Sequence, residues 1–520
     1  MAKPYTITTA ISYPNGKPHI GHAYEAIATD ALARFQRLNG RDVFFQTGTD
    51  EHGLKMAQTA RGKGIAPREL ADEMSSYFKQ MDDTLDISYD RFIRTSDADH
   101  HDASQAIWQA MEANGDLYLG RYEGWYSVRD EAFYDESELT DGEDGVKLSP
   151  QGTPVEWTVE ESWFFRLSKY QQPLLDLYAS QPDFIRPESR RNEIMRFVEG
   201  GLSDLSVSRT SFDWGVKVPG SEGHVMYVWV DALTNYITGC GYPNDPDRMA
   251  HYWPEGGDII HIIGKDIVRF HTVYWPAFLM SAKLPLPKQV FGHGFLLNRG
   301  EKMSKSLGNV TDPNELAERF GVDQLRYFLL SEVTFGNDGS YSPEAIVQRS
   351  NSDLGNAFGN LAQRTLSFIA KNVGHLPEIS GHDAADAELF DTVGKAISID
   401  VPAAFDALAP SVAIEAWLRA CFACNQYIDA QAPWALRKTD PQRMETVLAT
   451  LYICIAQLAV AISPVIPKSA KTLLDHMGIP DDVRTYTGIG SHWYSPLAES
   501  DFTLEAPKPL FPRLELPAEE

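Results

Sequence analysis

The chain has 520 residues, too many for one hydrophobic core, so two to four domains are expected. Hydrophobic residues make up 43% and charged residues 23%, the balance of a soluble globular protein, and no run approaches membrane-spanning length. A net charge of −26, from 46 basic against 72 acidic residues, argues against a general nucleic-acid binder; a nucleic acid could still be met on a local basic or aromatic surface.

A run of β-type residues, 5–11, leads into the turn Ser12-Tyr13-Pro14-Asn15-Gly16-Lys17-Pro18, and a helical pattern follows over 23–38. A strand joined by such a turn to a helix N-terminus suits an anion, because N–H groups and the helix dipole point at the ligand. His19 and His22, one turn apart, add imidazole donors there. Residues 41–50 read as a buried strand. That places Asp50-Glu51-His52-Gly53 at the carboxyl edge, where open α/β sheets bind ligands. Pro67 opens another helix, 93–96 is a short strand and 99–113 is helical. Residues 1–114 thus form the first half of a parallel-sheet, Rossmann-like α/β domain.

Between 115 and 223 the pattern changes. Aromatic and polar residues alternate over 118–135, acidic turns follow at 141–144, and apolar structure resumes at 161–167, as in an inserted α+β module. Strand–helix alternation returns over 224–290, so the sheet is split in sequence around the insert. The region 291–345 carries Lys302-Met303-Ser304-Lys305-Ser306, between Gly300 and Gly308. Over 346–520, apolar spacing of three and four predicts an all-α antiparallel bundle, with helices at 355–373, 387–400, 411–430, 440–462 and 469–477. A Pro-rich tail from 507 is expected to pack loosely. The four cysteines, Cys240, Cys421, Cys424 and Cys454, are too scattered for a disulfide framework. Cys421 and Cys424 fall inside a predicted helix with no second ligand pair, which favours small buried residues over a metal site. With no apolar signal core at the N-terminus, a reduced, cytoplasmic setting is expected.

His19-Ile20-Gly21-His22, followed far downstream by Lys302-Met303-Ser304-Lys305-Ser306 across a split α/β pattern, resembles the paired signatures of the class I aminoacyl-tRNA synthetases. Within that class the resemblance is to the methionyl-tRNA synthetases and covers nearly the whole chain. Ala10-Ile11-Ser12-Tyr13-Pro14-Asn15-Gly16 resembles the family's segment before the first signature. Tyr227-Val228-Trp229-Val230-Asp231-Ala232-Leu233-Thr234-Asn235-Tyr236 resembles its methionine-pocket helix, and 261–271 its nucleoside segment. Asn360-Leu361-Ala362-Gln363-Arg364 and Gln431-Ala432-Pro433-Trp434 resemble its anticodon-reading pieces. The resemblance implies a ligase that makes methionyl-adenylate from methionine and ATP, releases pyrophosphate, and passes methionine to the 3′-terminal adenosine of its tRNA. ATP with magnesium, and no membrane, are implied with it.

The same resemblance assigns roles. Asp50 anchors the methionine ammonium, while Ile11, Tyr13, Trp229, Ala232, Tyr236 and His271 wall its side chain, where sulfur–aromatic contact is favourable. ATP lies against His19, Gly21, His22, Gly264, Asp266 and Lys305. Catalysis falls to His19, His22, Lys302 and Lys305, which position the phosphoryl group and stabilise its charge. Asn360 and Arg364, four apart on one helical face, meet the anticodon with Trp434 as stacking platform. Taken singly, Trp229 and Tyr236 would read as core aromatics, His271 as a structural histidine and Asp50 as a helix cap. Two departures from the family carry expectations. No cysteine lies between 115 and 223, so the insert's knuckle should be zinc-free and held by hydrogen bonds and ion pairs. The chain ends after the bundle, where some relatives add a dimerising domain, so a monomer is expected. The competing readings are another class I synthetase, a nucleotidyltransferase sharing the first signature, and a non-catalytic tRNA-binding relative.

Overall fold

The computed structural model describes residues 2–130, 132–142, 145–301, 303, 310–490, 492–500 and 502–516. Its centre is a six-stranded, all-parallel sheet of β1 (Pro4–Thr9), β2 (Asp42–Thr49), β3 (Arg91–Arg94), β4 (Ile185–Arg186), β5 (Ile259–Gly264) and β6 (Gln289–His293). The spatial order is β3-β2-β1-β5-β6-β4. β1 is rich in β-branched residues and buried on both faces, as a central parallel strand must be. The chain builds outward from β1 through β2 and β3, then returns to the other side of β1 for β5, with Thr8 level with His261. The order reverses at β1 and β5, and ligands bind in the crevice at the carboxyl ends of such a pair.

The expected insert is only partly separate from this sheet. Leu117–Ser127 and Glu156–Phe165 pair as a long antiparallel hairpin, with Ala132–Tyr134 and Leu205–Ser206 on its two edges. Yet Ile185–Arg186, from within 115–223, adds the outermost parallel strand to the main sheet. Leu174, Tyr178, Phe184 and Ile194 share a core with Trp275, Phe278 and Val290. At the hairpin's tip, five buried or half-buried polar residues hold one another. The Asp130 carboxylate accepts from Ser149 Oγ (2.8 Å), Tyr134 OH (3.0 Å) and Thr153 Oγ1, Ser127 Oγ lies 2.7 Å from Thr153 Oγ1, and Asp130 N donates to Ser127 Oγ at 3.2 Å.

The C-terminal half is a helix bundle. Pro441–Ile462 is long and apolar, with mean hydropathy 1.8 over its most apolar window, and 94% of that window is buried, so it is the bundle's core helix. Cys421, Cys424 and Cys454 are buried in the same core. Bundle and sheet domain are tied by Arg326, whose guanidinium reaches the Val465 and Pro464 carbonyls (both 3.0 Å) and Asp30 Oδ2 (2.6 Å). Both charges are fully buried, and Ser88 and Arg34 satisfy the rest of the Asp30 carboxylate, the condition under which a buried pair is tolerated. Over its described residues, 507–516, the tail does not pack loosely as expected. Phe511 is buried against Gly359, the Asn351 amide pairs with the Leu514 backbone in both directions at 2.9 Å, and Gln363 bonds the Pro507 carbonyl at 2.7 Å. One aromatic anchor and two amide side chains suffice to fix a segment that has no periodic signal.

Candidate active site

A cleft of about 510 Å³ opens at the carboxyl ends of β1 and β5. Ile11, Tyr13, His19, Gly21, His22, Asp50, Trp229, Ala232, Tyr236, Gly264, Asp266 and His271 all line it. The main chain makes this convergence. Ser12 N donates to the Gly48 carbonyl and Asp50 N to the Ser12 carbonyl, both at 2.9 Å, so the segment after β1 runs beside the end of β2. Tyr13 is held by its hydroxyl, which accepts from Met56 N at 3.1 Å.

The turn closes on α1 (Ile20–Leu38), which starts with an unusual cap. His19 Nδ1 accepts from Gly21 N and His22 Nδ1 accepts from His19 N, both at 3.1 Å. A backbone N–H can only donate, so each Nδ1 is unprotonated and each ring carries its hydrogen on Nε2. The rings sit 3.9 Å apart, and a Cβ on Gly21 would come within 2.9 Å of the His19 ring. Glycine is therefore the residue that lets the imidazole fold over the helix start. Ile20 N, in the same turn, donates to the Thr311 carbonyl at 3.1 Å. This brings the far side of the second signature to α1. Lys302 and Lys305 lie outside the described residues; Met303 lines the cleft.

The opposite wall is α2 (Val228–Gly239) with a π-helical turn, Phe270–Tyr274. Trp229 is half-buried and stacks on Phe270 at 3.7 Å, nearly coplanar. His271 Nδ1 faces the Ile267 carbonyl at 2.9 Å, and Nε2 lies 2.6 Å from Tyr236 OH. The carbonyl requires Nδ1–H, so the tyrosine hydroxyl donates to Nε2. Burial pushes His271 down to about 4, with the Ile267 carbonyl opposing only in part, and the ring is neutral. Gly264 leaves room for Asp266, whose Oδ1 would lie 2.7 Å from an added Cβ.

Several residues to which the sequence assigned no role line the site or stand behind it. Glu25 Oε1 accepts from Ala10 N at 3.0 Å and Oε2 pairs with His293 Nε2 at 2.7 Å, while His293 Nδ1 meets the Gly294 carbonyl at 2.8 Å. Burial works against charge on His293, but Glu25 and the carbonyl outweigh it and raise its pKa. Behind Asp50, Glu51 is fully buried and held by Arg94 at 2.7 and 3.0 Å. Asp231 on α2 bridges His52 (2.6 Å) and His100 (2.7 Å); burial would raise its carboxyl, and the two imidazoles hold it well below the usual range. An acid inside an otherwise apolar helical stretch was the one available signal, for Glu25 and Asp231 alike. Among the described residues, no group of three or more His, Cys, Asp or Glu side chains could hold a metal ion.

Asn360, Arg364 and Trp434 lie on the bundle, away from the cleft. Trp434 is 46% exposed, Arg364 lies 5.9 Å over its ring, and Arg364 Nη1 also reaches Asp429 at 3.0 Å.

A split parallel sheet whose switch point receives a histidine-capped helix start, with a helix bundle behind it, is the architecture of the class I aminoacyl-tRNA synthetases. A family model described as tRNA synthetases class I (M) matches residues 5–366, and one described as the anticodon binding domain of methionyl tRNA ligase matches 376–515. The methionine–tRNA ligase of Brucella suis biovar 1 (strain 1330) is 60% identical over 510 residues, 98% of each chain. That of Mycobacterium tuberculosis (strain ATCC 25618 / H37Rv) is 54% identical over 523 residues, 99% of each chain. The solved structure of Mycobacterium tuberculosis methionyl-tRNA synthetase in complex with methionyl-adenylate superposes with a TM-score of 0.94 at 53% identity, covering 98% of this chain and 100% of that one. The chain belongs to the methionyl-tRNA synthetase family.

Proposed function

We propose that the chain runs both half-reactions of a methionine–tRNA ligase in this one cleft, with the two ends of segment 10–22 serving different substrates. As a family member it is an ATP-dependent ligase; the assignment of residues to steps is our reading. The observation that carries it is the pair of opposed anchorages in that segment. Ser12 is laced to Gly48 and Asp50, while His19 and His22 cap α1. Ile11 and Tyr13 thus face the amino acid beside Asp50, whose carboxylate binds the ammonium. Trp229, Ala232, Tyr236 and the neutral His271 surround the thioether. ATP lies along His19, Gly21, His22, Gly264 and Asp266.

The methionine carboxylate attacks the α-phosphorus and pyrophosphate leaves. His19 and His22 donate their Nε2–H groups to the phosphoryl oxygens, and Lys302 and Lys305 bring cations to the triphosphate. Magnesium would enter with ATP and would offset the charge of its phosphates beside His19, His22, Lys302 and Lys305. A terminal ribose hydroxyl of the tRNA then attacks the adenylate carbonyl, and AMP departs. Asn360, Arg364 and Trp434 meet the anticodon. The work divides along the chain: 1–114 and 224–290 hold the small substrates, 115–223 is the connective module, 291–345 carries the second signature, and 346–520 reads the tRNA. A zinc-free knuckle, a monomeric state and a cytoplasmic location with no membrane contact belong to the same reading. The hydroxyls and carboxylate at the knuckle's corners, hydrogen-bonded to one another, support the first of these.

Methionine-dependent ATP–pyrophosphate exchange tests the proposal. Exchange should respond to methionine alone among the amino acids, and Lys305→Ala should abolish most of it while methionine binding is kept. Loss of methionine binding in that variant would refute the role given to Lys305.

A further inference from the structure

We propose that Arg129, at the tip of the inserted hairpin, binds a phosphate group of a nucleotide substrate in the cleft. The inference rests on the ligase reading and adds to it a residue from a different part of the fold. Arg129 lies between Val128 and Asp130 in the turn after strand Leu117–Ser127, and it lines the same cleft as His19, Asp50 and His271. It is the only arginine or lysine among the described residues that line that cleft. It is exposed and has no hydrogen bond or ion pair among the described residues, in a chain where acidic residues outnumber basic ones 72 to 46. An exposed arginine with no ion pair among the described residues, on the rim of a cleft that takes polyanionic substrates, has a planar fork of donors to offer to phosphate oxygens.

The turn is built to hold it there. Its neighbour Asp130 is turned to the knuckle, where Ser149, Thr153 and Tyr134 all donate to its Oδ2. Ser149 and Thr153 are buried, so the corner is rigid. The tip of the hairpin is clamped onto the catalytic half by Arg209, whose guanidinium lies 5.6 Å from the Tyr126 ring, 4.5 Å from Phe133 and 4.4 Å from Tyr227, the residue that precedes α2. Arg269, one residue before the π-helical turn, adds a bridge to Glu138 at 3.3 Å. The insert is thereby fixed relative to the methionine wall, and Arg129 is presented from its rim.

The phosphate could belong to ATP or to the acceptor end of the tRNA, and kinetics separates the two. Arg129→Ala and Arg129→Lys are compared with the parent enzyme in ATP–pyrophosphate exchange and in single-turnover transfer from preformed adenylate to tRNA. Arg129→Ala should lose about tenfold or more in one of the steps, and Arg129→Lys should recover part of it. A raised KM for ATP in exchange assigns the contact to ATP; a loss confined to transfer assigns it to tRNA. The KM for methionine and the melting temperature should stay at the parent values, which a structural role would move. Both steps within about twofold of an active parent would overturn the role of Arg129 alone. A parent without methionine-dependent exchange would overturn the ligase reading and this inference with it.

Discussion

The two sides of the cleft use the same residue in opposite ways. On the α1 side, His19 and His22 take backbone N–H groups on Nδ1 and so present N–H at Nε2. On the α2 side, His271 gives its Nδ1–H to a backbone carbonyl and so presents a lone pair at Nε2, which Tyr236 occupies. In the proposed reaction the first arrangement would supply donors for developing negative charge, and the second would make a neutral wall for an apolar side chain. What decides the chemistry of each imidazole is the main-chain group that meets its Nδ1. His293, with a carbonyl on one nitrogen and a carboxylate on the other, shows a third outcome, a ring whose protonated form is favoured.

This contrast can be broken by substitution. His22→Ala removes the donor proposed for the phosphoryl group, and should lower kcat for methionine-dependent exchange by roughly 10²–10³-fold while the KM for methionine changes little. A raised methionine KM with kcat intact would erase the division between the two sides. Tyr236→Phe acts on the other side. It leaves His271 Nε2 buried without its donor, so stability should fall by about 1–3 kcal/mol, and the methionine KM should rise about tenfold with the KM for ATP unchanged. The smallest effect is on pH dependence. His271 has a folded pKa of about 4, below its unfolded value near 6.5, and burial lowers His261 well below that value too. Between about 4 and 6.5 the unfolded chain binds more protons, so the stability from these rings is complete above 6.5 and is lost as pH falls, by up to roughly 1.4 kcal/mol per ring per pH unit. His293 runs the other way: its contribution is complete below the unfolded pKa and is lost as pH rises through the raised folded value. Thermal unfolding between pH 5 and 8 should therefore steepen on the acid side, and His271→Gln should flatten that slope.

Much of the site was legible because it rests on local pattern. The Pro/Asn/Gly turn before an amphipathic helix placed His19 and His22, and a buried strand with a polar end placed Asp50 beside them. Tautomers were not legible, since they depend on partners such as Ile267, brought to His271 by a π-helical turn that leaves no mark in residue spacing. The Glu25–His293 pair joins residues 268 positions apart, and a two-residue edge strand at Ile185–Arg186 is too short for any periodicity. The anchored tail and Arg129 were missed for a similar reason. Each depends on one side chain in a polar segment.

The division of the cleft by histidine tautomer is tested most directly by long-range ¹⁵N–¹H correlation spectra of histidine-labelled protein near pH 7.5, with single His→Gln variants for assignment. The expected result is His19 and His22 protonated on Nε2 and His271 on Nδ1. Protonation of His271 on Nε2, or an imidazolium at that position, would contradict the account.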